Sequence, residues 1–382
     1  MSRRWPLRVH DVAGVPVVPP AGMAAVATRV RAVLGGAHDR MGLPFQVLLE
    51  RLTGALDAPA LYAFVELGVA EHLATPRRVE DISARVGVPQ DSLDRLLGYL
   101  ASRGCLRRDR RGRYVANRVT NLLTDDGGWC GWVRFLGAPW TMSAYAQLLA
   151  AVRDGDDPIA VAHGTNFFSF LAAHPDAAQA FHDAQAAGAR LQAIMCAAAL
   201  PVAGVGSVLD VGGGTGTFLS NVLAGHPELR GAVCDLPEAA AGARATFAEA
   251  GVAERAKFET CDFFASVPAG YDLHVLTAII HDWSDDDCIR VLRNCADALA
   301  PGGRICVVET TLQPGRYGSF VQATDLLMLA FTSGGRERTA AQYDTLWERA
   351  GLRCIKCHPL PSAGTLFELQ RDRSIADARV RF

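Results

Sequence analysis

The stretch Ser207-Val208-Leu209-Asp210-Val211-Gly212-Gly213-Gly214-Thr215-Gly216 decides how this chain is read. Ser207 to Val211 has the pattern of a short buried strand, and the glycines lead into a helical pattern from Thr217 to Ala224. A strand running through glycines into a helix lets a ligand approach the backbone closely, because glycine lacks a Cβ and tolerates positive φ. Glycines at 212, 214 and 216 make G-x-G-x-G, one residue tighter than the dinucleotide fingerprint, and Asp210 ends the preceding strand.

Working outward, three further short strands follow. Ala232 to Pro237 is a strand ending in Asp235, placed where a ribose-binding carboxylate belongs after a first βα unit. Phe258 to Phe264 offers a strand end with Asp262 beside Phe263, an aromatic suited to an adenine ring, and Tyr271 to Thr277 is the fourth. Strands alternating with helical patterns from Gly204 onward predict a parallel α/β sheet. Upstream, Val79 to Val86 and Gln90 to Arg103 read as two helices joined by Gly87-Val88-Pro89, with Leu93, Leu96, Leu97 and Leu100 on one face. Cys105 to Val115 then reads as an arginine-rich hairpin turning near Gly112, which completes a winged helix. The segment Trp129 to Gln185 is helical and aromatic, as the wall of a cavity for a flat ligand needs to be.

Composition excludes several classes. The net charge of -2 and the lack of long like-charge blocks argue against nucleic acid as a partner, and the arginines of the hairpin read as a solvated tip. No signal peptide is evident in Met1 to Pro20, so a cytoplasmic protein is expected. The most apolar stretch, Ala186 to Val205, is broken by Arg190, Gln192 and Pro201 and reads as a buried helix, not a membrane span. Ten cysteines in such a chain read as small core residues. Cys354 and Cys357 have C-x-x-C spacing beside His358, but no second cluster completes a zinc site, and they read as ordinary strand residues.

With these motifs in order, the chain resembles the small-molecule O-methyltransferases of plant caffeate type and their bacterial relatives that modify polyketides and other natural products. The resemblance runs from about Leu61 to Leu369. It rests on Leu209 to Gly216, Cys234 to Pro237, Cys261 to Phe264, Ile279 to Asp286, Leu299 to Arg304, Val308-Glu309, Asp325 to Leu329 and Gly334 to Thr339. It implies an α/β Rossmann-like methyltransferase domain behind a mostly helical winged-helix dimerisation domain, hence a homodimer. The corresponding division is 1–45 N-terminal extension and dimerisation helix, 46–125 winged helix, 126–200 helical linker and pocket region, 201–370 methyltransferase domain and 371–382 tail. S-adenosylmethionine is the implied cofactor. Carried over by position, Asp210, Gly212, Gly213 and Gly214 cradle its methionine part, and Asp235 with Leu236 meets the ribose. Asp262, Phe263 and Trp283 surround adenine, and Thr277 stands where several plant members have lysine. Trp140, Phe167, Phe168 and Met328 are the expected substrate contacts.

His281 is the candidate general base. It follows the apolar residues Leu276 to Ile280 and precedes Ser284, a helix cap, so it belongs at the C-terminal edge of the sheet. A sulfonium methyl is already activated, so the enzyme must place an oxygen nucleophile and remove its proton, which suits histidine. Glu309 and Glu337 are the carboxylates matched to hold its ring. His274 and His226 read as structural. The run Asp285-Asp286-Asp287 reads as a favourable helix start, and no metal is expected. Three rivals stay open: a member that binds the cofactor but catalyses hydroxylation, decarboxylation or rearrangement; a winged-helix regulator; and an NAD-dependent oxidoreductase, which the glycine spacing disfavours.

Overall fold

The computed structural model describes residues 19–196, 199–313, 320–361 and 364–372. These form two compact units, one of residues 37–188 and one of residues 189–372 together with 19–36. Helix α1 (Ala21–Met41) contributes to both.

In the unit of residues 37–188, helices α2 (Pro44–Thr53) and α3 (Asp57–Glu66) precede α4 (Val79–Val86) and α5 (Gln90–Ser102). The α4 and α5 spans agree with the sequence reading to within one residue. Leu93, Leu97 and Leu100 are buried against Phe64, Leu73 and Ile82, with Leu96 partly buried beside them, so a period of three to four residues has produced one apolar face. Strands β1 (Arg107–Arg108) and β2 (Tyr114–Val115) pair antiparallel as the hairpin that follows. Tyr114 is buried beneath it and donates to Asp94 Oδ1 at 2.7 Å. At the hairpin tip, Asp109 accepts from the backbone of Arg111 and Arg113, so one carboxylate organises the arginine cluster. Five short helices follow: α6 (Cys130–Gly137), α7 (Pro139–Tyr145), α8 (Leu148–Asp154), α9 (Pro158–His163) and α10 (Phe167–Ala173).

Helix α11 (Pro175–Cys196) leads into the other unit. It does not continue to Val205 as the sequence reading supposed. Pro201 cannot donate within a helix and Gly204 adopts positive φ, so the chain leaves the helix well before the sheet. The sheet contains β3 (Ser207–Val211), β4 (Arg230–Asp235), β5 (Ala256–Thr260), β6 (Tyr271–Thr277), β7 (Leu299–Thr310), β8 (Leu352–Pro359) and β9 (Gly364–Arg371), in the order β5-β4-β3-β6-β7-β9-β8. Its first five strands are parallel, and β9 runs antiparallel to both of its neighbours, β7 and β8. Successive residues of β7 show why both faces are covered: Ile305 and Val307 enter one apolar cluster, Cys306 and Val308 the other. Helices α14 (Asp285–Ala298) and α16 (Ala340–Ala350) supply the first cluster, while α12 (Thr217–Gly225), α13 (Ala240–Glu249) and the end of α11 supply the second. Helix α15 (Phe320–Phe331) precedes α16. No helix is long and apolar enough to cross a membrane among the described residues. Residues 373–382, most of the expected tail, lie outside the described residues, as do 1–18.

Gly216 caps α12 at φ +73, and a Cβ there would meet the Phe247 ring at 2.5 Å. Left-handed backbone costs a residue with a side chain about 1–2 kcal/mol, and overpacking adds about 1–3 kcal/mol. Gly216→Ala is therefore expected to lower the unfolding free energy by about 2–5 kcal/mol in urea titrations; an unchanged midpoint would show that the loop has room to relax.

Candidate active site

The strand order sets out the expected site residues in a row. Adjacent parallel strands β5, β4, β3, β6 and β7 carry at or just past their C-terminal ends Asp262 and Phe263, Asp235, Asp210, His281 and Glu309 respectively. In open α/β sheets this edge is where ligands bind.

Beyond β3, Gly212 N donates to Cys234 O at 2.8 Å, which ties the glycine turn to the neighbouring strand. Asp235 reaches across to accept from Gly214 N at 2.7 Å and from Leu236 N at 2.7 Å. Asp210 is buried, and its Oδ2 has no hydrogen-bond partner. Burial and the charge of Asp235 push its pKa up to about 7. A Cβ on Gly213 would lie 2.4 Å from that same oxygen, so the glycine keeps backbone and carboxylate in contact. A buried acid with one oxygen unpartnered, beside a half-buried glycine turn, fits a ligand that brings donors or positive charge. Asp262 accepts from Phe264 N at 2.9 Å, and Phe263 and Phe264 pack against Trp283 at ring separations of 6.1 and 4.7 Å. The Thr277 hydroxyl, at the end of β6, is likewise buried without a partner.

After Thr277 the backbone turns sharply. Ala278, at φ +55, is the single positive-φ residue other than glycine among the described residues, and a turn at Ile280–Asp282 follows it. Such strain persists where surroundings hold it. Glu309, buried at the end of β7, does so: its Oε1 accepts from Ile279 N at 3.0 Å and Ile280 N at 2.7 Å. Its Oε2 lies 3.1 Å from His281 Nδ1, and Glu337 Oε1 lies 3.6 Å from the same nitrogen. Thr310 Oγ1 donates to Glu337 Oε2. Asp282 Oδ1 sits 3.4 Å from His281 Nε2. Burial disfavours the ring's charge, but Glu309, Asp282 and Glu337 outweigh it and push the pKa of His281 up to about 10. Burial pushes Asp282 up to about 6 and raises Glu337. His281, Glu309 and Glu337 offer ligand atoms within 4.8 Å of one another, close enough to share a cation, although a proton on His281 satisfies the same charges.

Arg338 belongs to the same site, and the sequence reading gave it no role. Fully buried, it binds Asp285 Oδ1 through Nε and Nη2 at 2.9 and 2.7 Å, Ile280 O through Nη1 at 3.0 Å and Trp283 O through Nη2 at 2.8 Å. Arg336 N donates to His281 O at 2.8 Å. The loop 334–338 thus braces the turn that bears His281. Ser284 caps α14 as expected, accepting from Asp287 N at 3.2 Å, and Asp285, Asp286 and Asp287 pair with Arg338, Arg349 and Arg290. His274 is buried in β6 with its pKa pushed down to about 4, consistent with a structural role.

The expected substrate contacts divide between the two units. Trp140 and Phe167 pack with tilted rings in an aromatic group with Phe135, Phe170 and Phe181, at 6.4 Å from each other. Phe168 touches Phe167 and is half exposed, while Met328 lies on α15 in the other unit.

Two family models match this sequence: an O-methyltransferase dimerisation domain over residues 49–126 and an O-methyltransferase domain over residues 145–353. A mitomycin biosynthesis 6-O-methyltransferase from Streptomyces lavendulae is 34% identical over 316 residues, covering 81% of this chain and 89% of the relative. An aclacinomycin 10-hydroxylase from Streptomyces purpurascens is 32% identical over 314 residues, covering 80% and 84%. The crystal structure of an O-methyltransferase from neocarzinostatin biosynthesis, in complex with S-adenosylmethionine and 2-hydroxy-5-methyl naphthoic acid, matches with a TM-score of 0.69 at 32% identity, covering 82% and 96%.

Because the folded pKa of His281 exceeds the ordinary value of about 6.5, the stability carried by this pairing is full below that pH and is lost as pH rises toward about 10. In histidine NMR titrations one ring should titrate far above pH 6.5, and Glu309→Gln should bring that midpoint down. A His281 midpoint that ignores Glu309 would remove the electrostatic clamp.

Proposed function

Since the chain belongs to the O-methyltransferase family, we propose that it methylates a phenolic hydroxyl of an aromatic natural product, with S-adenosylmethionine as cofactor and His281 as general base. The observation that carries this reading is His281 Nδ1 facing Glu309 and Glu337 at the sheet edge that also bears the glycine turn.

Asp210, Gly212, Gly213 and Gly214 would hold the methionine part of the cofactor, Asp235 and Leu236 its ribose, and Asp262, Phe263 and Trp283 its adenine, with Thr277 beside it. The bound cofactor supplies an activated methyl group. The chain's own contribution is orientation and proton management. His281 accepts the acceptor's proton at Nε2 while Glu309 and Glu337 hold Nδ1–H and stabilise the imidazolium. A phenol titrates at about 10, as tyrosine does, and His281 is pushed up to about 10. The proton therefore passes between two groups of similar affinity, and the bound pair is poised between phenol with imidazole and phenolate with imidazolium. Trp140, Phe167, Phe168 and Met328 are proposed to contact the flat acceptor. No metal has a step in this scheme; activity undiminished by a chelator is the expected result.

The hydroxylase from Streptomyces purpurascens, at an identity close to that of the methyltransferases, favours a second reading in which the methyl group is not transferred. His281 with Glu309 supports methyl transfer over it. For the dimerisation domain, a homodimer is the reading: Leu43, Phe45, Leu48, Leu49 and Leu52, on and beside α2, are each more than half exposed.

Incubation with methyl-labelled S-adenosylmethionine and a panel of phenolic acceptors tests the proposal. Wild type should give labelled product, and His281→Ala should lose about 10²-fold or more. An acceptor consumed without incorporation of label would establish the second reading.

A further inference from the structure

In a regular strand, residues three apart point to opposite faces of the sheet. Cys354 and Cys357 lie three apart on β8, yet their Sγ atoms are 3.3 Å from each other. The register explains it. Cys354 pairs with Leu369 and Lys356 with Glu368, so Ile355 is an extra residue, a bulge, and Cys357 pairs with Phe367. Leu369 and Phe367 share one face of β9, in the cluster covered by α14 and α16, and the bulge brings both cysteines to that face. His358 pairs with Leu366 and faces the other side, so it does not join the two sulfurs as a third metal ligand.

We infer that Cys354 and Cys357 form a dithiol site that a peroxide converts reversibly into an intrachain disulfide. Access divides the labour. Cys357 is exposed and Cys354 half-buried against the core, whereas Cys130, Cys196, Cys234, Cys288, Cys295 and Cys306 are buried. The Cys357 thiolate attacks the peroxide, its sulfur takes one oxygen as the O–O bond breaks, and the other oxygen leaves as alcohol or water. The Cys354 sulfur then attacks the sulfenic sulfur, the S–O bond breaks, and water departs with the thiol proton. Two electrons pass from the sulfurs to the peroxide. Burial and the neighbouring Cys357 push the Cys354 thiol up to about 12, which suits the partner that stays protonated until the second step. Closing the 3.3 Å gap to an S–S bond of about 2.05 Å needs about 1.2 Å of movement. That is available at a bulge on an edge strand, hydrogen-bonded on one side only. A bond closing so short a ring belongs with the strained, readily reduced disulfides.

The full-length protein is treated with hydrogen peroxide, its remaining thiols are alkylated, and a tryptic digest is weighed. Trypsin cuts after Arg353 and Lys356, so the expected product is the peptide 354–356 joined to 357–371, two hydrogens lighter than the reduced pair and separated by dithiothreitol. In Cys354→Ser, Cys357 should go on to sulfinic acid or cross-link to another molecule; in Cys357→Ser, Cys354 should stay reduced. The inference is overturned if both thiols alkylate fully after a dose that oxidises a free-cysteine peptide. It is equally overturned if the bond joins two copies of the chain, if it joins other cysteines of the chain instead, or if the oxidation of Cys357 is indifferent to Cys354→Ser.

Discussion

Two carboxylates buried within reach of one imidazole nitrogen repel each other unless positive charge lies between them, and the placement of His281 answers that constraint. Its Nδ1 faces Glu309 at 3.1 Å and Glu337 at 3.6 Å. The same carboxylates are tied down on their other side, Glu309 by the backbone amides of Ile279 and Ile280 and Glu337 by the side-chain hydroxyl of Thr310. The imidazole, the strained Ala278 and the ends of two loops are consequently held by one set of charges. Removing a member leaves another charge buried and uncompensated, which is why such clusters hold together as units.

The parallel sheet supplies what this cluster needs. Right next to one another, β3, β6 and β7 end with Asp210, the turn to His281, and Glu309, while β4 and β5 extend the row through Asp235 to Asp262. Each residue is local to its own strand end, and only the strand order makes them neighbours. The long-range reinforcement comes from Arg338. Its guanidinium spans Ile280 O, Trp283 O and Asp285, and so ties the loop carrying Glu337 to the turn carrying His281. The proposed cofactor residues and the proposed base therefore lie along one edge of a sheet that is packed on both faces.

Much of this was readable from residues alone because it is local. The strand Ser207–Val211, the strand Tyr271–Thr277, helix α4 and the Ser284 cap each follow from short-range apolar patterning and capping chemistry, and their spans agree with the sequence reading. Glu309 was legible as the acid ending an apolar strand. Other features depend on how distant segments meet. Arg338 is one of many arginines in the sequence, and its burial follows only when the loop folds over α14. Helix α11 was read as reaching Val205 because the apolar composition continues past Cys196, although Pro201 marked the break. The cysteine pair stood out by its C-x-x-C spacing but was read as ordinary strand residues; strict alternation would separate residues 354 and 357, and a single bulge at Ile355 reverses that.

The proposed acceptor class follows from proton affinity as much as from the aromatic side chains of the helical unit. A base at the ordinary histidine value would take a proton from a phenol only uphill, by about 1.4 kcal/mol for each pKa unit of mismatch. Glu309, Asp282 and Glu337 push His281 up to about 10 and close most of that gap, at the cost of a ring that is mostly protonated in neutral solution. An acceptor that arrives as the phenol gives its proton to the fraction of rings that are neutral, while one that arrives as the phenolate pairs with the imidazolium directly. Alkyl alcohols are far weaker acids and gain neither route. On the proposed reading, the same carboxylates that face His281 also favour a phenolic hydroxyl over an aliphatic one, through the charge of the ring.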